Sequence, residues 1–254
     1  MMRPLAARRA LISGALLIAL SMGQALAATP RLEVAGAKAL GISRLDQAAT
    51  QLDQAFEAPF EVNTREGGAT AVQPATVQSA ANCRALLQLT DRIQGTPSAV
   101  DWPVLLSQLA VCQSLQALAH VQPAQRSALP TRWTSLSATR DWPASIWPNI
   151  DADSSRAADR PGQTLARWLK QTHWRLRGNA KDHGITALLE NDSVALALQP
   201  LARGDFDADG LEDWLVLWQA HAKGGSWAAT RALLVSRQPG QRALRLTWLP
   251  EPPH

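Results

Sequence analysis

Gly204-Asp205-Phe206-Asp207-Ala208-Asp209-Gly210-Leu211-Glu212-Asp213 runs directly into Trp214-Leu215-Val216-Leu217-Trp218-Gln219. The first ten residues are acidic and turn-forming; the next six are almost wholly apolar. A short apolar run bounded by polar residues reads as a central strand. Asp205, Asp207 and Asp209 alternate, so curling the chain converges their carboxylates. Gly210 permits the positive φ of a sharp turn, the Leu211 carbonyl can then point inward, and Asp213 closes the shell. Oxygen ligands in that number suit Ca²⁺ better than a transition metal. Carboxylates within about 4 Å repel by several kcal/mol per pair at an intermediate dielectric, and a bound dication reverses the sign. The expectation is a structural calcium loop with ligands Asp205, Asp207, Asp209, Leu211 and Asp213, set against the plainer reading of a metal-free Asp/Gly turn.

On either side of this stretch, the C-terminal part reads as an antiparallel sheet. Strands are expected at His173–Arg177, Ile185–Glu190, Val194–Gln199, Ala229–Arg237 and Gln241–Leu249. Asn191-Asp192-Ser193 and Gln238-Pro239-Gly240 are turn signals, and Pro200 should end its strand or mark an edge. Gln163–Gln171 reads as a short helix, so residues 163–254 form the β region. Residues 28–162 read as mainly helical. Ser43–Glu57 places Leu45, Ala48, Leu52 and Phe56 on one face, with Ser43 as cap. Val77–Ile93 places Ala80, Cys83, Leu87 and Thr90 on a stripe. Asp101–His120 does the same with Leu105, Leu109, Cys112, Leu115 and Leu118, with Asp101 as N-cap and Pro103 in the first turn. Asn63–Ala75 reads as a loop. The Pro/Ser/Trp-rich stretch 122–162 has little periodicity. The fold class is α+β, helices first and sheet second.

Residues 1–27 read as a signal peptide. Arg3, Arg8 and Arg9 precede the apolar run Leu11–Leu20, and Ala25-Leu26-Ala27 is a small-x-small cleavage site. The run is short for a membrane span and is broken by polar residues, so the mature chain is expected to lack a transmembrane segment and to be periplasmic or secreted. The whole chain has 25 basic and 21 acidic residues. Cleavage removes three arginines and no acid, leaving a net charge near +1 and no basic patch for nucleic acid. In an oxidising compartment the only two cysteines, Cys83 and Cys112, are expected to form a structural disulfide between two helices. A redox-active pair lacks the CxxC spacing.

Asp205, Asp207, Asp209, Gly210 and Asp213, followed by an apolar strand, resemble the calcium loop of FG-GAP and VCBS-type repeats, which links two β-strands. The first half is also similar to EF-hand and dockerin loops, but the twelfth position is Val216 rather than Glu. Those repeats build propellers from several copies, and one copy is present here. The arrangement through Gly224-Gly225 also resembles the C-terminal part of exported proteobacterial proteins, a likeness that supplies no activity.

Ten tryptophans raise the question of sugar stacking. Trp133, Trp142 and Trp147, in the irregular stretch, are the candidates for ligand contact; Trp102, Trp168, Trp174, Trp214 and Trp248 fall on predicted apolar faces. His120, His173, His183, His221 and His254 lack metal-ligand spacing, and no H-E-x-x-H, G-x-S-x-G or P-loop occurs. The functional expectation is a calcium-binding, non-enzymatic binding or assembly protein of the cell envelope, with an envelope protein or glycan as partner. The alternative is a glycan-active or cell-wall hydrolytic enzyme with scattered catalytic residues.

Overall fold

The computed structural model describes residues 28–65, 75–129, 140–148, 152–160, 162–171, 175–177 and 187–251. The predicted signal peptide and Trp133 lie outside them. Strand β1 (Arg31–Leu32) leads into helix α1 (Val34–Leu40), followed by α2 (Ala48–Asp53), β2 (Ala55–Thr64) and β3 (Thr76–Asn82). Then come α3 (Cys83–Leu89), β4 (Ile93–Gly95), α4 (Trp102–Ala119), α5 (Ala152–Ala158) and α6 (Leu165–Gln171). The C-terminal strands are β5 (Arg175–Arg177), β6 (Ala187–Glu190), β7 (Val194–Gly204), β8 (Asp213–Ala222), β9 (Ala228–Ser236) and β10 (Arg245–Trp248). The order β10-β9-β8-β7-β6-β5, with β1 added on β7, makes a seven-stranded antiparallel sheet; β3-β2-β4 form a second, three-stranded sheet. The α+β class and the disulfide-linked helices stand as expected.

The large sheet is covered on both faces, which is why β8 reads as unbroken apolar sequence. Leu215 and Leu217 of β8, with Ala232 and Leu234 of β9, face a core shared with Leu105, Leu109 and Leu115 of α4. Trp214, Val216 and Trp218 point the other way, with Leu233 and Val235, into a core closed by Trp142, Ile146, Trp147 and Leu165. Residues 140–148 of the irregular Trp/Pro stretch therefore cover a sheet face. The Trp218 indole N–H donates to the Ile146 carbonyl at 2.7 Å, and the Leu244 N–H to the Asp141 carbonyl at 2.8 Å.

Several boundaries differ from the sequence expectation. Val77–Ile93 is not one helix: β3 runs to Asn82, whose side chain then caps α3 by accepting the Ala85 N–H at 2.8 Å. The inward residues of α3 are Cys83, Leu86 and Leu89, so Leu87 leaves the predicted stripe. Ser43–Glu57 breaks likewise. A 3₁₀ turn at Leu45–Gln47 precedes α2, which ends at Asp53, and Phe56 belongs to β2. Ser43 does not cap; the Gln47 side chain accepts the N–H groups of Ser43 at 2.7 Å and Arg44 at 3.1 Å. Asn63 and Thr64 continue β2 where a loop was expected. Asp101 occupies the N-cap position of α4 without a side-chain bond.

Pro200 does not end β7. The strand runs to Gly204, with an irregularity between Pro200 and Ala202. On the side away from β8, β6 pairs β7 only between Ala195 and Leu198, and β1 only at Ala202 and Arg203. Pro200 thus sits in the gap between two short neighbours, a local edge where a missing N–H is tolerated.

Cys83 and Cys112 are bonded, at 2% and 0% exposure, with Cα atoms 5.0 Å apart and 29 residues of separation. In the loop-entropy model this crosslink stabilises by about 3–4 kcal/mol. Replacing both cysteines by Ala should lower the unfolding free energy in urea by at least that much; an unchanged midpoint would show that the bridge contributes nothing. Among the described residues no helix is long and apolar enough to cross a membrane.

Candidate metal centre

The turn between β7 and β8 carries the acidic motif. Ala208 (φ 62°) and Gly210 (φ 80°) both adopt left-handed backbone, which coils the chain tightly enough to gather the side chains. One carboxylate oxygen from each of Asp205, Asp207 and Asp209 lies within 4.8 Å of the others. Asp205 is buried, whereas Asp207 and Asp209 are exposed. Three carboxylates so placed could hold a metal ion.

Some of their oxygens are satisfied within the turn. Asp205 Oδ2 accepts the Gly210 N–H at 2.9 Å, Asp209 Oδ1 the Leu211 N–H at 2.8 Å, and Asp207 Oδ1 the Asp209 N–H at 3.3 Å. Asp213 opens β8 at 0% exposure, and its Oδ2 accepts the Phe206 N–H at 3.1 Å. Two buried oxygens, Asp205 Oδ1 and Asp213 Oδ1, have no hydrogen-bond partner. Buried acceptors are ordinarily satisfied, and a cation supplies what these two lack. Burial, above all, pushes the Asp213 carboxyl up to about 7; the Phe206 N–H opposes this, and the charges of Asp207, Asp209 and Asp205 add to it. Asp207 keeps more of its surface in water and shifts upward too, from partial desolvation and the Asp209 charge.

Of the predicted ligands, Asp205, Asp207 and Asp209 are brought together as a set. Asp213 stands beside them, within reach of their charges. Leu211 is buried, at 3% exposure.

The turn is braced by residues the sequence did not single out. Gln122 and Asp205 exchange two main-chain bonds, each 2.9 Å. The Gly210 carbonyl accepts the N–H groups of Gln125 at 2.9 Å and Arg126 at 3.2 Å. Ser127 Oγ donates to buried Glu212 at 2.5 Å. The contacts of Gln122, Gln125 and Arg126 are made by main chain, which leaves no mark in residue type. Glu212 was visible only as one more acid of the motif.

Trp142 and Trp147 are 3% and 6% exposed, so both rings lie in the core beneath the sheet. Comparison with protein-family models, with curated proteins and with solved structures gave no match to this chain. The likeness to FG-GAP and VCBS-type loops therefore goes no further than the clustered aspartates.

At pH 8, above the value of about 7 to which burial pushes Asp213, Asp213→Asn removes a buried carboxylate charge beside the cluster and keeps an acceptor for the Phe206 N–H. In chelator, this variant should melt above the parent, because the repulsion is relieved. In millimolar calcium its melting temperature should not rise. A lower melting temperature in chelator would show that the carboxylates do not strain the metal-free turn.

Proposed function

We propose that the chain is an exported, periplasmic or secreted protein that binds calcium at the β7–β8 turn, where the ion has a structural role. The observation that carries this reading is the pair of buried, unpartnered oxygens on Asp205 and Asp213 beside the converging carboxylates of Asp207 and Asp209. Hard oxygen donors, without the near-ideal octahedral arrangement that Mg²⁺ demands, favour Ca²⁺. The disulfide and the signal-like residues 1–27 support an oxidising destination. In such a compartment a weak site suffices, with a dissociation constant on the order of 0.1–1 mM.

On this reading the chain is a non-enzymatic binding or assembly protein of the envelope. The enzymatic alternative, a glycan-active hydrolase, gains nothing from Trp142 and Trp147, since a buried indole offers no face to a sugar ring.

At 10 mM calcium, a site of that affinity contributes about 1–3 kcal/mol by mass action, or roughly 3–10 °C in melting temperature for a domain of this size. The measurement is calorimetry in calcium against EGTA. Asp207→Ala combined with Asp209→Ala should abolish the difference. Identical melting of the parent protein under both conditions would refute the calcium reading.

A further inference from the structure

We infer that ion occupancy of the acidic turn controls docking of the N-terminal segment 28–33, which acts as a clasp that closes when the turn is loaded; this rests on the metal reading above. The connection runs through main-chain bonds. Residues 122–126 form a strap fixed to the turn at both ends: Gln122 on Asp205, then Gln125 and Arg126 on Gly210, with the Glu212 N–H donating to the Arg126 carbonyl at 2.8 Å. On its other side the strap holds the clasp, because Ala124 and Ala28 exchange two bonds at 2.6 and 3.1 Å. Further along, Arg31 and Leu32 pair with Arg203 and Ala202, and the Glu33 N–H donates to the Leu201 carbonyl at 2.9 Å. Gly204, the residue before Asp205, lies beneath both. A Cβ there would meet Val121 Cγ2 at 2.3 Å and Pro30 Cβ at 3.3 Å.

Segment 28–33 is thus held by two things, the strap and the last residues of β7. The strap is fixed to the turn, and β7 runs directly into it. Without an ion the turn contains buried acceptors that no donor satisfies and carboxylates that repel. Such a region opens locally at a lower free energy than the packed core. Opening it loosens the strap, and with it the clasp. Helix α4 is braced independently, by the disulfide and the apolar core. Coupling of this kind is reciprocal: the factor by which the ion favours the closed clasp is the factor by which the closed clasp favours the ion, and it bounds what loss of the clasp can cost ion binding.

The test is amide hydrogen exchange of the purified protein in 10 mM calcium chloride and in EGTA, with terbium luminescence and calcium titration calorimetry reporting occupancy separately. Glu33 and Ala124 are the reporters, since neither belongs to the acidic turn. Their amides should exchange at least tenfold faster in EGTA, while those of α4 are unchanged. Glu33→Pro tests reciprocity. Glu33 has φ −81°, which proline accepts, so the change deletes the bond to Leu201 together with the side-chain pair to Arg203 and leaves the acidic turn's own residues in place. It should weaken calcium binding about three- to tenfold, whereas Glu33→Gln, which keeps the N–H, should bind more tightly than the proline variant. Calcium binding with unchanged exchange at Glu33 and Ala124 overturns the clasp and leaves the metal reading intact. Equal loss of protection in α4 overturns it too, since the turn would then report only global unfolding. Absence of any calcium or terbium binding removes the metal reading itself.

Discussion

The turn between β7 and β8 gathers three carboxylates, with the buried Asp213 beside them, at the mouth of the two most central strands. The strands pair from Gly204–Asp213 beside the turn to Val194–Ala222 at the far end. Both faces of this pair are packed, so a slip of one residue would exchange Trp214, Val216 and Trp218 with Leu215 and Leu217 between two differently shaped cores. A tight turn with two left-handed residues fixes the register at its origin. The cost is electrostatic: Asp213 is fully buried and Asp205 nearly so, in a place where an ionised carboxylate is poorly solvated.

That cost explains which neighbours surround the turn. The Phe206, Gly210 and Leu211 N–H groups each donate to an aspartate, so the turn's own backbone supplies part of the countercharge. The Phe206 side chain packs on the helical core, which keeps the coil from swinging into solvent. These donors leave one oxygen of Asp205 and one of Asp213 unmatched. A cation among the carboxylates would complete their coordination and turn their mutual repulsion into attraction.

How legible all this was depended on the range of the interactions. The strands β8 and β9, the long helix α4 and the pairing of Cys83 with Cys112 follow from local pattern and composition, and the sequence reading of them holds; of the acidic turn, the gathering of Asp205, Asp207 and Asp209 is what the structure bears out. The small β3-β2-β4 sheet did not emerge. Ala55–Glu57 and Val77–Asn82 fall in stretches whose apolar spacings also fit a helix, and the choice is made by cross-strand pairs such as Phe60–Ala80 and Val62–Gln78. The caps differ locally: the Gln47 side chain accepts the Ser43 and Arg44 N–H groups, Asn82 caps α3, and Asp101 keeps the N-cap position of α4 without a side-chain bond. The bracing of the metal turn by Gln122, Gln125 and Arg126 runs through main chain and is invisible in residue identity.

The large sheet shows how a chain with a buried centre manages its edges. β7 is eleven residues long, yet its outer side is shared by β6 and β1, each too short to cover it. β1 comes from the other end of the sequence, so the far end of β7 is closed only once residues 28–33 return to it. Gly36 permits that return by lying so close to β7 that a Cβ would meet the Leu201 carbonyl oxygen at 2.0 Å. Arg203 is held there by Glu33 at 3.1 Å and lies over the Trp214 ring. The guanidinium of β7 therefore ties the returning segment to the first aromatic residue after the acidic turn. Strand edge, N-terminal segment and carboxylate cluster meet within a few residues, and a change in any one of them must be felt by the other two.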